Sequence, residues 1–206
     1  SFNYITSQNV QSTDEFVVVA NDGFVNSEPA NISLTMNSDP LYPFQWHLEN
    51  SGQTNFATVP GLTGNDLLLA DAHQQGLTGQ GVIVAVVDDG LEIEHEDLAP
   101  NAVPGGSFDF VDEDNNPQKV GGDGGHGTSV AGIIASRGWN NIGTRGGAPY
   151  ASLKAFNFLQ AQNSANFLAS FGGSDYTADV DIFNFSAGVP LSGFTTLSAS
   201  RISVIT

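Results

Sequence analysis

Two residue types that together carry out proton transfer stand in a defined order along the chain. Asp88 is followed by Asp89-Gly90 after an apolar run, and His126 opens the segment His126-Gly127-Thr128-Ser129-Val130-Ala131-Gly132. A buried aspartate can hold a histidine in one tautomer, and that histidine can then act as a general base toward a hydroxyl nucleophile. The pair therefore supplies a carboxylate and a base, two members of a nucleophile, base and carboxylate constellation.

The third member, a serine in a motif of its own, is absent from the 206 residues. Ser129 follows Gly127-Thr128 but lies within the histidine segment, on the same predicted helical turn as the base, so it does not qualify. The members of such a constellation act as a unit, and loss of the nucleophile removes most of the rate enhancement. We therefore predict that this chain alone has no hydrolytic activity.

The elements around the two residues place them at one edge of a sheet. Residues 81–87 are apolar without alternation, which predicts a parallel strand covered on both faces, with Asp88 at its carboxyl end. In open α/β sheets, functional groups collect at the carboxyl ends of the strands. Residues 128–135 predict a small-residue helix entered through the glycine-rich residues 121–125, so His126 is expected at a helix start.

The remaining patterns predict further elements on both sides of this pair. Asn65-Asp66 ahead of residues 67–72, with Gly76 beyond them, predicts a capped helix with a glycine stop. Residues 166–171 are helix-like, and residues 181–185 predict another strand. Near the amino end, two runs of β-formers flank the turn signal Asn21-Asp22-Gly23, which predicts a hairpin.

Composition excludes several classes of partner. The net charge is -17, with 22 acidic residues against 5 Lys and Arg, so the basic patch that nucleic acids or anionic membranes require is missing. No run of about 18 apolar residues predicts a membrane span. There is no cysteine, which excludes disulfides and thiolate ligands. No signal-peptide pattern is present, so any export signal is expected outside this sequence.

The segment from His126, downstream of a strand ending in Asp88, resembles the subtilisin-like serine proteases, and within them the kexin and furin branch. Asp39-Pro40-Leu41-Tyr42-Pro43 and Gly76-Leu77-Thr78-Gly79-Gln80-Gly81 continue the resemblance, which covers residues 39 to about 188. It implies that Asp88 is the catalytic aspartate and His126 the general base. The implied fold is a parallel α/β three-layer sandwich, incomplete at its carboxyl end, with helices on both sheet faces.

The predicted domain organisation has two parts. Residues 1–37 resemble the closing strands of a cadherin-like or immunoglobulin-like β-sandwich repeat, and residues 38–206 resemble the amino-terminal part of a subtilisin-like peptidase domain. The oxyanion asparagine and the serine segment that relatives place later in the chain are not found before Thr206.

The resemblance also implies substrate contacts. Ser186-Ala187-Gly188 resembles the segment that pairs with a substrate backbone as an added strand, and Asp89 and Asp123 match acids that favour basic residues in the substrate. Leu168 and Val189-Pro190-Leu191 stand where kexin relatives often have acids. We therefore expect the strict preference for paired basic residues to be weakened or lost.

Calcium is the cofactor that the resemblance implies. The site would combine two carboxylates, one amide side chain and main-chain carbonyl groups, which form the oxygen shell that calcium prefers. Its residues would be Asp39, Asp97, Arg137 through its carbonyl, Asn140, Ile142 and Thr144. A second acidic cluster, Asp109, Asp112, Glu113 and Asp114, lacks the glycine and terminal glutamate of a helix-loop-helix calcium loop and is interpreted as a solvated loop.

Three functions remain open at this point. The first is a secreted or cell-surface, calcium-dependent serine endopeptidase that acts on protein or peptide substrates. The second is a catalytically dead subtilase-fold binding module, for which the absent serine would be a symptom. The third is a calcium-dependent adhesion protein in which the β repeat carries the function. The presence of both Asp88 and His126 favours the first.

Overall fold

The computed structural model of the chain describes residues 12–118 and 125–188. They divide into two compact units. The first contains the described residues up to Leu77 together with Arg137–Arg145, and the second contains Thr78–Ser136 together with the described residues from Gly146 onward. The predicted boundary after residue 37 stays a prediction.

The first unit contains the predicted hairpin. Strands β1 (Ser12–Val18) and β2 (Ala30–Met36) pair antiparallel, with Phe16 opposite Ile32. The connection contains Gly23 at φ 98°, and the side chain of Asn21 accepts its N–H, as expected for a turn at Asn-Asp-Gly. Two strands alone do not bury a core, so the assignment of this hairpin to a β-sandwich repeat remains a prediction.

Helix α1 (Leu69–Gln74) begins two residues later than the capping pattern predicts. Asp66 does not cap it, because its carboxylate accepts the N–H groups of Leu68 and Asn50, at 2.8 and 2.9 Å. Leu68, which precedes the helix, lies in the left-handed region at φ 54°. The predicted glycine stop is present: Gly76, at φ 77°, follows the helix and donates its N–H to the carbonyl of His73.

The second unit is built on a four-stranded parallel sheet in the order β4-β5-β3-β6. The strands and helices of this unit are β3 (Ile83–Asp88), β4 (Phe108–Asp109), α2 (His126–Ala135), β5 (Ser152–Asn157), α3 (Ser164–Ser170) and β6 (Ile182–Asn184). In register, Ile83 lies opposite Ser152 and Asp88 opposite Asn157. The predicted parallel strand before Asp88 is therefore confirmed, in the interior of the sheet.

The core of this unit lies on both faces of the sheet. On one face, Val84 and Val86 of β3 join a cluster with Ala131 and Ala135 of α2. On the other face, a second cluster contains Ala85 and Val87 of β3 with Phe156 and Phe158, and Phe167 of α3 packs against it. Alternate residues of one strand are buried on opposite faces, which explains the unbroken apolar run. The prediction of helices on both faces is confirmed.

Within the described residues, no helix is both long enough and apolar enough to cross a membrane.

Candidate active site

The carboxyl end of β3 and the amino end of α2 bring Asp88 and His126 into contact. Oδ1 of Asp88 lies 2.8 Å from Nδ1 of His126, although 38 residues separate the two in sequence. The Asp88 side chain is fully buried, whereas 56% of the His126 side chain is exposed. The predicted pair is therefore assembled, with a shielded carboxylate behind an accessible imidazole.

Gly127 makes this contact possible. A Cβ atom at position 127 would lie 2.0 Å from the carbonyl oxygen of Gly90 and 3.0 Å from Cβ of Asp88. Only a residue without a side chain allows the helix start to approach the loop after β3 this closely. The sequence does not reveal this packing role of Gly127, because nothing in the local pattern distinguishes it from other helix-entry glycines.

Two polar contacts fix the start of α2 on the same loop. Oδ1 of Asp89 accepts the N–H of Gly127 at 2.9 Å, and Oγ1 of Thr128 accepts the N–H of Glu92 at 3.0 Å. The orientation of the His126 ring therefore depends on main-chain contacts as well as on Asp88. Asp89 is half-buried and has this positioning contact in addition to its predicted substrate role.

The electrostatics of the pair favour a charged imidazole. The hydrogen bond from the Asp88 carboxylate, followed by its Coulomb attraction, raises the pKa of His126 above its usual value. When Nδ1–H donates to the carboxylate, Nε2 is the nitrogen left to take a proton. The arrangement can therefore accept a proton at Nε2 and stabilise the resulting imidazolium.

Only some of the residues predicted to contact the substrate lie in the part of the chain that the structure describes. Ser186, Ala187 and Gly188 follow β6, which ends the strand order, and all three are exposed. The amide of Asn184 donates to Oγ of Ser186 at 2.9 Å. Asp123 and Val189-Pro190-Leu191 lie outside the described residues. Leu168 lies in α3, and its side chain is half exposed.

The residues predicted to hold calcium divide between the two units. Asp39, Arg137, Asn140, Ile142 and Thr144 belong to the first unit, and Asp97, which is buried, belongs to the second. Oδ1 of Asp39 accepts the N–H of Asn140 at 3.2 Å, and Oδ1 of Asn140 accepts the N–H of Ile142 at 2.9 Å. The first unit thus places a carboxylate and an amide from the predicted set in one loop region.

Arg145 is a partner of Asp39 that the sequence does not reveal. Its Nη2 and Nε each lie 2.7 Å from Oδ2 of the buried Asp39 carboxylate. The guanidinium carbon lies 4.3 Å from the ring centre of Tyr42 and 4.1 Å from that of Trp139. Burial raises the pKa of Asp39, and the attraction of Arg145 opposes that rise. No pattern in the sequence links positions 106 residues apart.

The acidic cluster Asp109, Asp112, Glu113 and Asp114 is only partly a solvated loop. Asp112, Glu113 and Asp114 are exposed, but Asp109 is buried and ends β4. Its Oδ1 accepts the N–H of Val111 at 2.6 Å. The interpretation is wrong for Asp109, because its place in the sheet could not be read from a run of acids.

Asp88, Asp89 and His126 also offer ligand atoms that all lie within 4.8 Å of one another, as the ligands of a metal ion do. Of these atoms, Oδ1 of Asp88 and Nδ1 of His126 are already in contact with each other.

The part of the chain that contains Asp88 and His126 is similar to known proteins. The model of the subtilase family matches residues 79–203. An extracellular serine protease of Aeromonas sobria is 47% identical over 155 residues, covering 74% of this chain and 24% of that protein. Kexin of Saccharomyces cerevisiae is 42% identical over 113 residues, covering 55% of this chain and 13% of kexin.

A solved structure shows the same fold. The crystal structure of a serine protease of Aeromonas sobria is similar to this chain with a TM-score of 0.75 and 43% identity, covering 82% of this chain and 29% of that one. The chain therefore spans less than a third of the length of any of these relatives.

Proposed function

Because the chain belongs to the subtilase family, we propose that it is the part of a serine endopeptidase that supplies the catalytic aspartate, Asp88, and the general base, His126. The observation that carries this proposal is the 2.8 Å contact between a buried carboxylate and an exposed imidazole. A contact that only stabilised the fold would not require the His126 ring to be accessible.

The chemistry follows from the two ring nitrogens. Nε2 of His126 takes the proton of a serine hydroxyl as it attacks the peptide carbonyl, and later returns that proton to the leaving amine. Asp88 holds the Nδ1–H tautomer and stabilises the imidazolium that forms between these steps. The serine and the oxyanion asparagine belong, in this proposal, to protein outside the 206 residues.

Ser129 does not supply the nucleophile. Its Oγ donates a hydrogen bond to the carbonyl of Gly125 at 2.7 Å, within the first turn of α2. A serine on the same helix turn as the base cannot present its hydroxyl to a substrate carbonyl on the far side of Nε2. The chain by itself is therefore proposed to be inactive.

Substrate recognition is proposed at the edge of the sheet. An extended peptide adds beside Ser186-Ala187-Gly188, where main-chain hydrogen bonds provide affinity with little sequence choice. Asp89 and Asp123 favour a basic substrate residue, while Leu168 weakens the demand for a second one. A peptide library cleaved only after paired basic residues would contradict this specificity.

The test of the catalytic proposal uses the complete protein. We expect peptide hydrolysis and labelling by a serine-directed phosphonofluoridate, both lost in His126→Ala and both retained in Ser129→Ala. Peptide binding without hydrolysis or labelling would support a binding module instead. Specific hydrolysis by the 206-residue chain alone would show that the nucleophile lies within it.

Calcium is the proposed cofactor, and the donor set of the first unit fits it in part. The carboxylate of Asp39 and the amide oxygen of Asn140 are hard oxygen donors, but Arg145 already occupies Oδ2 of Asp39. Bound calcium would stabilise the loop that contains Asn140, with modest affinity because the guanidinium offsets the aspartate charge. Asp97 remains part of the predicted set.

Thermal unfolding with calcium or a chelator tests this site. Calcium is expected to raise the unfolding temperature of the chain, and less so in Asn140→Ala. Asn116→Ala, at an exposed loop asparagine of the second unit, is the matched control and should respond like the wild type. An unfolding temperature that does not change at millimolar calcium would contradict the proposal.

An extracellular location is proposed from the relationship to the extracellular protease of Aeromonas sobria. The acidic composition suits such surroundings, because salt screens the repulsion among the carboxylates.

A further inference from the structure

Three buried polar side chains end three adjacent strands of the parallel sheet. Asp109 ends β4, Asn157 ends β5 and Asp88 ends β3. The registers place Asn157 opposite Asp109 on one side and opposite Asp88 on the other. Their exposures are 1%, 1% and 0%. We call these three residues the strand-end row.

The members of the row share one face of the sheet. Successive side chains of a strand point to opposite faces, so Asp88 shares its face with Val86, and Asn157 shares its face with Ala155. Val86 and Ala155 pack in the cluster beneath α2. Nδ2 of Asn157 donates to Oδ2 of Asp109 at 2.9 Å, which places Asp109 on that face too.

Two oxygen atoms of the row have no hydrogen-bond donor among the described residues. They are Oδ2 of Asp88 and Oδ1 of Asn157, and both are buried. Oδ1 of Asp88, in contrast, is held by the His126 ring and by the N–H of Asp89. Buried acceptors without a donor are rare in native proteins, so a donor is expected at each of the two oxygens.

The orientation of the Asn157 amide follows from its other end. Nδ2 donates to Oδ2 of Asp109 and, at 3.1 Å, to Oε1 of Gln160, and both of these atoms are acceptors. The amide oxygen is therefore directed away from Asp109. Since β5 lies between β4 and β3, the strand on its other side is the one that contains Asp88.

We propose that a single buried water molecule bridges Asp88 and Asn157 by donating one hydrogen bond to Oδ2 of Asp88 and a second hydrogen bond to Oδ1 of Asn157. This bridge makes Asn157 a positioning residue for the catalytic aspartate. Neighbouring strands lie about 4.8 Å apart, a separation that one water with two hydrogen bonds of about 2.8 Å can bridge. Buried water typically bonds to buried polar groups that would otherwise have no partner.

The bridge has two consequences for Asp88. The water holds the second carboxylate oxygen, in addition to the two contacts that Oδ1 makes with the His126 ring and with the N–H of Asp89. The water also withdraws negative charge from the carboxylate, which moderates its attraction for the imidazolium. This inference deepens the proposed function, on which it rests, because it explains how the aspartate is positioned.

The test is an NMR titration of His126 in the full 206-residue chain, comparing the wild type with Asn157→Leu. Loss of the amide removes the acceptor that holds the water and leaves more negative charge on Asp88. The pKa of His126 is therefore expected to rise by about 0.5 to 1 unit. The hydrogen bond to Asp109 is lost as well, which acts in the same direction.

Asn101→Leu is the matched control. Asn101 is a buried asparagine of the same unit, and its Nδ2 donates to the carbonyls of Ala135 and Pro149, near the opposite end of α2. This variant should lower the unfolding temperature and leave the pKa of His126 within about 0.2 units of the wild type. If Asn157→Leu also lowers stability without moving the pKa of His126, the positioning role is refuted.

A crystal structure of the wild-type chain gives a measurement that needs no variant. An ordered water within about 3.2 Å of both oxygens is expected. A protein donor at Oδ2 of Asp88, or no ordered atom between the two oxygens, would overturn the proposal. Neither experiment requires proteolysis, so failure here is distinguishable from failure of the endopeptidase proposal.

Discussion

Replacement of Gly127 by alanine tests whether the contact between Asp88 and His126 depends on the close approach of α2 to the loop after β3. The new Cβ would lie 2.0 Å from the carbonyl oxygen of Gly90. Favourable contacts between such atoms lie at about 3.5 Å, so the helix start or the loop must move by about 1 Å or more. His126 is the adjacent residue, and it moves with the helix.

The size of the effect follows from that displacement. Forced overpacking of this kind costs about 1–3 kcal/mol of stability. A shift of about 1 Å also lengthens the 2.8 Å contact between Asp88 and His126 beyond hydrogen-bond range. The pKa of His126 is then expected to fall toward its usual value. In the complete protein, misplacement of the base should reduce kcat/KM by about 100-fold.

Gly132→Ala provides the matched control on the same helix. A Cβ at position 132 meets only Oγ of Ser136, at 3.4 Å, which is an ordinary contact. At an interior position of a helix, alanine is more stable than glycine by about 0.5–1 kcal/mol. The Gly132→Ala variant should therefore be slightly more stable than the wild type, and the pKa of His126 should not change. Denaturant unfolding and NMR titration measure both quantities. If Gly127→Ala matches the wild type in both, the close approach is not required and the reasoning fails.

Further predictions concern three charged contacts. In Asp88→Asn, the pKa of His126 should fall, and kcat of the complete protein should drop about 10⁴-fold. The acid limb of the pH profile of kcat should therefore move to lower pH. Because a raised pKa stabilises the fold at low pH, the wild type should lose this contribution as the pH rises above 6.5, and the variant should not. Asp179→Asn should lower the unfolding temperature more than Lys154→Met, because it leaves the buried ammonium of Lys154 without its carboxylate partner. Lys154 lowers the pKa of Asp179, so the wild type should also lose stability as the pH falls below 3.8, and a flat acid profile would contradict this. Arg145→Lys keeps the charge but loses the paired guanidinium contacts with Asp39 and the stacking on the Tyr42 and Trp139 rings. The free energy of unfolding, measured with denaturant, should fall by about 2 kcal/mol, and a fall below about 0.5 kcal/mol would contradict this prediction.

The elements that were predicted correctly have local signatures. An unbroken apolar run indicates a strand buried on both faces, and β3 lies inside the sheet with a helix against each face. The small-residue helix begins at His126, as its glycine-rich entry predicts. The glycine stop after α1 depends only on one left-handed position, Gly76, so it too could be read directly.

The errors and omissions have a common cause, which is contact between distant segments. Asp66 looks like a helix cap, but its carboxylate accepts an N–H from Asn50, 16 residues away, as well as from Leu68. Asp109 looks like a solvated acid, but Asn157, 48 residues further on, donates to it in the sheet. Hydrogen-bond partners of this kind have no pattern in the sequence.

The amino-acid sequence by itself determined which groups could do chemistry and in what order they occur: an aspartate after a buried strand and a histidine before a helix. Tertiary structure alone decided that these groups meet at 2.8 Å, because the distance depends on how α2 packs against β3 and on the space left by Gly127. It also decided that Asn157 lies beside the aspartate, because strand register joins positions 69 residues apart through main-chain hydrogen bonds. Residue type is a property of the chain, whereas distance and burial are properties of its packing.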